Sequence, residues 1–304
     1  MMILGVVVAP PPLLPAKIFS NVSSSSPTKF TPFPSPLYFV TSKLKERGSI
    51  KASCSNKDNA HDPFDGFSVL SPDIPWDYKD VWSTFAAYFF ILHIPLSFGG
   101  LSVIAQILDQ PDLDPLTMVI STILLQTTES VGAFTLLHYT TKPQYNFSTF
   151  VSEMLSSKQR SWVKASALGI GFLIGLALLT STLADRLIGP KDVNNPILKD
   201  ILLYSPTSKA LGFFLYCFIA PVLEESVYRG FLLTSLASKM KWWQAVVISS
   251  FAFSIAHLSG DNSLQLFLIG CVLGSVYCWT GNVAAPFAVH SVYNATTLLV
   301  TSLS

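Results

Sequence analysis

The feature that most constrains the fold is a C-terminal stretch of 63 residues with almost no charge. Between Trp242 and Ser304, Asp261 is the only Asp, Glu, Lys or Arg residue. So long a stretch without charge is typical of segments that lie in lipid. Only 12% of the whole chain is charged, against about 25% in soluble domains. We therefore expect a membrane protein.

Seven stretches are long and apolar enough to be considered as membrane spans, since about 20 residues cross the hydrocarbon core. They are residues 81–107, 115–139, 162–184, 210–237, 242–258, 263–280 and 284–302. The amphipathic segment 196–204 predicts an eighth helix that lies in the membrane interface. The predicted fold is an all-α transmembrane bundle of about seven spans, which forms a multi-span domain over residues 81–304.

The first 57 residues have a different composition from the rest. They contain ten Ser, eight Pro, seven Lys or Arg and a single acid, Glu46. This composition predicts a chloroplast transit peptide, with a disordered tail on a non-plastid protein as the alternative. A polar lead-in follows at residues 58–80. The predicted location is a chloroplast membrane, either the thylakoid or the inner envelope.

The overall charge and the cysteines exclude several classes of function. With 19 basic and 18 acidic residues the net charge is +1, so no overall field attracts nucleic acid. The four cysteines form no CxxC motif and no zinc-binding Cys/His spacing. They indicate neither a disulfide framework nor a metal site.

Three charged side chains lie together in the fourth predicted span. Glu224, Glu225 and Arg229 each cost about 2.5–3.5 kcal/mol at the centre of a span on insertion scales. Glu225 and Arg229 are i and i+4 on a helix and can pair, whereas Glu224 points about 100° away. Glu224 is therefore a candidate general base, unless all three form a structural ion cluster. Pairing of Glu224 with Arg229 at i+5 stays open, because Pro221 can rewind the turn.

Two further spans carry polar residues at helical spacing. Phe253 and His257 lie near the end of the fifth span, and His290 and Asn294 lie at i and i+4 on the last. An imidazole beside Glu224 can help to deprotonate a water molecule, and His290 with Asn294 can donate hydrogen bonds to an oxyanion.

These side chains together predict peptide hydrolysis, provided that three helices bring them together. The sequence contains neither a GxSxG nor an HExxH motif, and water attack requires no Ser or Cys nucleophile. No cofactor is predicted. The alternative is a zinc site formed by Glu224, His257 and His290.

Three polar residues in the predicted spans have no role in this scheme. His93 and His138 have no polar companion nearby in the sequence and are interpreted as packing residues. Glu129 stays unexplained. Two small-xxx-small spacings, Gly171–Gly175 and Gly270–Gly274, predict close helix packing within one bundle.

The three motifs resemble those of the CAAX-processing and bacteriocin-processing membrane proteases, which form the Abi or CPBP family of intramembrane glutamic proteases. With the N-terminal composition, the chain resembles a plant plastid-type member of this family. The family motifs EExxxR, FxxxH and HxxxN occur in this order from Leu211 onward. The resemblance implies a helical bundle with a protease core over residues 210–302 and a site inside the membrane. In that site Glu224 and His257 activate water, His290 and Asn294 stabilise the oxyanion, and Glu225, Arg229 and Phe253 support them.

Three classes of function are therefore compared. The first is an intramembrane endopeptidase that acts on a membrane-associated protein or peptide in the lipid bilayer. The second is a non-proteolytic scaffold that binds another membrane protein and keeps the polar cluster as a structural lock. The third, a transporter, is disfavoured because the sequence shows no inverted repeat and no paired broken helices.

Overall fold

Nine helices make up the part of the chain that the structure describes. The structure is a computed structural model that describes residues 66–157, 159–187, 196–260 and 262–303. The helices are α1 (Tyr78–Ile107), α2 (Pro115–Tyr139), α3 (Phe147–Ser156), α4 (Trp162–Leu187), α5 (Pro196–Tyr204), α6 (Pro206–Ala237), α7 (Trp242–Ala256), α8 (Ser263–Thr280) and α9 (Ala284–Leu303). The predicted transit peptide and the first residues of the lead-in lie outside the described residues.

The all-α fold is confirmed, but fewer helices than predicted meet the requirements for a span. Five helices, α1, α2, α4, α6 and α8, are long and apolar enough to cross a membrane. α7 has only 15 residues, which is short for a hydrocarbon core. α9 has 20 residues, but its His, Asn and Thr side chains make it less apolar than the five. Five of the seven predicted stretches therefore meet both requirements in the described residues.

The two short helices differ in how well the sequence predicts them. α5 coincides with the amphipathic segment 196–204. α3 was not predicted, because its ten residues are too few to be considered as a span. It begins at an N-cap, where the side chain of Asn146 accepts hydrogen bonds from the N–H groups of Ser148 and Thr149.

α1 and α6 contain wide turns with i→i+5 hydrogen bonding. In α1 these turns cover Tyr88–Gly99 and include Pro95. In α6 they cover Leu215–Ile219 and Glu225–Leu233, on either side of Pro221. The sequence predicts an opening of the helix before the glutamate pair, because proline removes a backbone donor, and the structure has such a turn there. Wide turns of this kind are frequent at functional sites.

α6 lies at the centre of the described bundle. It contacts α2, α5, α7, α8 and α9. Its side chains Tyr228 and Phe231 are buried in the largest hydrophobic cluster, together with Phe253 of α7 and Tyr277 of α8. A separate cluster joins α4, α8 and α9 through Leu173, Leu273 and Val289. The helix that carries both glutamates is thus surrounded by the helices that carry the histidines.

The two small-residue spacings have different surroundings. A Cβ at Gly270 would lie 2.9 Å from Cβ and 3.1 Å from Cα of Ser250, and one at Gly274 would lie 3.2 Å from Val246. The second spacing therefore brings α7 and α8 close together, as predicted. At Gly171 and Gly175 a Cβ would meet nothing within 4 Å in the described part of the chain. Packing within the bundle is therefore not observed for the first spacing.

Replacing Gly270 by Ala should destabilise the bundle, because its new methyl group would push against the backbone of α7. We expect a loss of about 1–3 kcal/mol in the free energy of unfolding. Gly171→Ala is the matched control, and we expect it to be neutral or stabilising by up to about 1 kcal/mol. Thermal unfolding of both variants in one detergent measures the difference. Equal shifts in Tm would contradict the close α7–α8 contact.

Candidate active site

Glu224 faces two histidines that come from different helices. Its Oε1 lies 3.9 Å from Nε2 of His257, which follows α7, and its Oε2 lies 3.7 Å from Nε2 of His290 on α9. Its side chain is 14% exposed, more than that of either histidine. Both separations exceed hydrogen-bond range and suit polar groups that share a water molecule. The structure therefore brings together three of the four predicted catalytic side chains.

Glu225 has direct partners instead. Its Oε1 accepts hydrogen bonds from Nη1 of Arg229 at 2.9 Å and from Nδ1 of His290 at 2.8 Å. Glu225 and Arg229 are almost fully buried. The i, i+4 pair expected from the sequence is present, and the i+5 pairing of Glu224 with Arg229 is not observed. Glu225 thus neutralises the arginine and orients an imidazole, whereas Glu224 has neither task.

His257 is held so that one ring nitrogen points at Glu224. Its Nδ1 lies 2.7 Å from the carbonyl oxygen of Phe253. Because a carbonyl can only accept, Nδ1 carries the hydrogen and Nε2 of the neutral ring is an acceptor. This contact spans one helical turn and explains the FxxxH spacing, since Phe253 supplies the backbone group that fixes the tautomer.

Asn294 contacts the opened backbone of α6. Its Nδ2 donates to the carbonyl oxygen of Tyr216 at 2.8 Å, within the wide turn at Leu215–Ile219. This carbonyl lies one residue before that of Cys217, which the position of Pro221 predicts to be free. Asn294 therefore ties α9 to α6 beside the glutamates. Its Oδ1 is buried and makes no hydrogen bond within the described residues.

The side chain of Phe253 is the apolar centre of the cluster. The guanidinium of Arg229 lies 4.6 Å from the centre of its ring, a cation–π distance. The same ring lies 4.6 Å from the imidazole of His257 and 6.1 Å from that of His290. Phe253 thus packs against one cationic and two imidazole side chains.

The three residues of the zinc alternative do not form a metal site in the described geometry. In the described ranges, no group of three or more His, Cys, Asp or Glu side chains is arranged to hold a metal ion. Glu224, His257 and His290 face one another without reaching that arrangement.

The order and placement of these motifs agree with a known family. Residues 206–296 match the family model of Rce1-like type II CAAX prenyl endopeptidases. We call this range the Rce1-like region. It contains all seven residues of the predicted site. The match and the five apolar helices support a multi-pass membrane protein, in which residues 206–296 are similar to the Rce1-like endopeptidases.

One curated relative carries no functional description. The chain is 28% identical over 134 residues to an uncharacterized 24.3 kDa protein of Escherichia coli, which corresponds to 42% of this chain and 55% of that protein. The chain thus spans about half the length of the curated relative it matches. No solved structure matches the chain significantly. The plastid-type assignment therefore stays a prediction.

A second polar cluster outside the Rce1-like region lies next to the site. The carboxylate of Glu129 on α2 accepts hydrogen bonds from Tyr88, His93 and Ser97 of α1 at 2.7–2.8 Å. The interpretation of His93 as a residue without polar companions is therefore wrong, and Glu129 has an explanation. The signal that the sequence analysis missed is the spacing of Tyr88, His93 and Ser97, which are five and then four residues apart on α1. This spacing places the three polar groups on one face only where the turns are wide. His138 is exposed and contacts aromatic rings.

Proposed function

We propose that the chain is an intramembrane endopeptidase that cleaves membrane-associated proteins or peptides with a water molecule activated by Glu224 and His257. The observation that carries the proposal is the division of labour between the two glutamates. Glu225 is occupied by Arg229 and His290, whereas Glu224 faces two imidazoles without a direct hydrogen bond. A carboxylate in this position is available to take a proton.

The facing groups match the hydrogen-bonding capacity of water. A Glu224 carboxylate oxygen and Nε2 of a neutral His257 are both acceptors, and they lie 3.9 Å apart. Water can donate to two acceptors at this separation. The water oxygen then keeps a lone pair that can attack a carbonyl carbon. This arrangement supports general-base catalysis more than a static ion pair.

The proposed reaction is the hydrolysis of one peptide bond. The water oxygen attacks the carbonyl carbon while Glu224 takes one of its protons, and the π electrons move to the carbonyl oxygen. When the oxyanion collapses, the C–N bond breaks and the amine leaves with the proton from Glu224. His257 orients the water through Nε2. No redox partner is needed, and one water is consumed for each bond cleaved.

His290 and Asn294 are the proposed oxyanion stabilisers. Nδ1 of His290 is held by Glu225, so Nε2 of the same ring faces Glu224. When it carries a hydrogen, Nε2 can donate to an oxyanion formed there. Asn294 uses its amide nitrogen for the carbonyl of Tyr216 and keeps a second N–H. We assign it mainly the task of fixing α9 beside the opened turn of α6.

We also propose a chloroplast membrane, thylakoid or inner envelope, as the location. Only the composition of residues 1–57 supports this part of the proposal. Import of the labelled full chain into isolated chloroplasts tests it. Processing to a shorter, membrane-integrated product would support the location, and exclusion of the intact chain from the organelle would contradict it.

A membrane scaffold is the second candidate, and one observation favours it. In the buried cluster, Arg229 of α6 and His290 of α9 both donate to Oε1 of Glu225, and this contact can act as a lock between α6 and α9 without any reaction. Genetic complementation separates the candidates. A scaffold works with Glu224→Gln as long as the protein accumulates, whereas a protease does not.

The direct experiment is cleavage of membrane-anchored peptides by the purified full chain in detergent, with the products identified by mass spectrometry. Hydroxylamine is included, because it intercepts an acyl-enzyme and should yield no hydroxamate if water attacks directly. Cleavage without hydroxamate supports the proposal. Hydroxamate formation would indicate a Ser or Cys nucleophile and contradict it.

Metal chelation provides a separate prediction. We expect cleavage to be unchanged by 1,10-phenanthroline, because the facing residues do not form a metal-holding group. Activity is measured before and after dialysis against the chelator, and bound zinc is determined on the same sample. Loss of activity that zinc restores would contradict the prediction and favour the zinc alternative.

A further inference from the structure

His93 crosses from α1 to the end of α7 and contacts two helices at once. Its Nδ1 lies 2.8 Å from Oε1 of Glu129, and its Nε2 lies 3.1 Å from the carbonyl oxygen of Ala256. Because this carbonyl can only accept, Nε2 carries a hydrogen and donates it. Glu129 is completely buried and orients the ring from α2. The contact with Ala256 lies one residue before His257.

The C-terminal end of α7 requires a hydrogen-bond donor from another part of the chain. The last carbonyl groups of a helix have no partner within the helix, and Ala256 is the last residue of α7. The chain then reverses through Leu258, a non-glycine residue with a φ of +46°. That conformation costs about 1–2 kcal/mol for an L-residue. A donor from another helix therefore helps to hold the terminus in a strained turn.

The geometry of this terminus decides where His257 points. His257 is the C-cap of α7, and its ring must keep Nδ1 on the carbonyl of Phe253 while Nε2 faces Glu224. Fraying of the last turn would release the ring from both constraints.

We propose that His93, oriented by Glu129, is a positioning residue that fixes the C-terminal end of α7 and thereby places His257 against Glu224. This inference rests on the proposed function. It assigns a role in the reaction to α1 and α2, which lie outside the Rce1-like region. His93 itself touches neither the substrate nor the water.

Two substitutions separate the two contacts of His93. The amide nitrogen of Gln reaches about as far as Nε2 and can still donate to Ala256, whereas that of Asn reaches only as far as Nδ1 and can contact Glu129 alone. We expect His93→Asn to lower kcat by about 10²-fold with KM unchanged, as misplacement of a catalytic group by about 1 Å does. His93→Gln should keep most of the activity. His138→Asn and His138→Gln are controls and should match the wild type.

Hydrogen exchange supplies a readout that does not depend on turnover. In His93→Asn, amide exchange should rise in the peptide over residues 253–260 and stay unchanged in peptides from α4 and α9. In His93→Gln and Glu224→Gln it should equal the wild type. If His93→Asn does not accumulate, Glu129→Asp withdraws the carboxylate from His93 and should give the same local rise.

The outcomes distinguish this inference from the proposed function. Cleavage that survives Glu224→Gln would overturn the proposed function. If Glu224→Gln is inactive while both His93 variants are fully active, only the positioning role fails. Equal losses in the Asn and Gln variants, or exchange that is unchanged or raised throughout the chain, would also overturn the positioning role. If the wild type cleaves no peptide, the comparison of amide hydrogen exchange alone tests the positioning role of His93.

Discussion

Replacing Glu224 by Gln should lower the rate of peptide cleavage by about 10²- to 10⁴-fold, the usual contribution of a general base. Gln has nearly the same shape and can keep contacts to nearby water, but its amide cannot take a proton at neutral pH. Glu224 makes no direct ion pair within hydrogen-bond distance, so its loss should leave the fold intact. The measurement is kcat/KM for the best peptide, together with Tm in the same detergent.

Glu153→Gln is the matched control for this variant. Glu153 is an exposed carboxylate on α3, and its replacement changes the net charge by the same amount. We expect wild-type cleavage and wild-type Tm for this control. Full activity in Glu224→Gln would show that Glu224 does not activate the water molecule. Loss of activity together with a large drop in Tm would indicate a structural role of Glu224 instead.

Much of the fold could be predicted from the sequence because its helices are long apolar stretches separated by segments rich in polar residues, Gly and Pro. The boundaries of α2 and α8 coincide with the predicted stretches 115–139 and 263–280. Of the seven predicted stretches, α7 is shorter and α9 more polar than the five helices that are long and apolar enough to cross a membrane. α3 was missed because its ten residues are too few for a span, although its apolar residues at positions 147, 150, 151, 154 and 155 follow the period of an amphipathic helix.

The distribution of tasks between the glutamates could also be predicted, because it depends on local spacing. An i, i+4 relation is a contact between neighbouring turns, so the pairing of Glu225 with Arg229 follows from four residues of sequence. The FxxxH spacing is equally local, since His257 reaches the carbonyl of Phe253 one turn before it.

Contacts between helices that are distant in the sequence could not be predicted from residue spacing. Glu129 and His93 are 36 residues apart, and His93 and Ala256 are 163 apart. Their meeting depends on how α1 packs beside α2 and α7, and on wide turns that replace the ordinary helical period. For the same reason the bond from Asn294 to the carbonyl of Tyr216 could not be anticipated, although the opening of α6 was.

Replacing Arg229 by Met should lower the free energy of unfolding by about 3–5 kcal/mol, because it leaves a buried carboxylate without its cation. Glu225 is 0% exposed and Arg229 is 1% exposed. The arginine also donates to the carbonyl of Gly270 and stacks on Phe253, so its removal loosens α7 and α8 as well. Thermal or denaturant unfolding of the purified variant in one detergent measures the loss.

A second substitution and a surface pair make this test specific. Glu225→Gln combined with Arg229→Met should be less destabilised than Arg229→Met alone, because Gln carries no charge and its oxygen still accepts from His290. Lys79→Met removes one partner of the exposed pair with Asp77, 3.7 Å apart, and should cost at most about 1 kcal/mol. If the double variant is destabilised by the sum of both single losses, the buried charge is not the cause. The cluster would then stabilise the bundle through shape and packing. In that case the ion pair with Arg229 would not be what distinguishes Glu225 from Glu224.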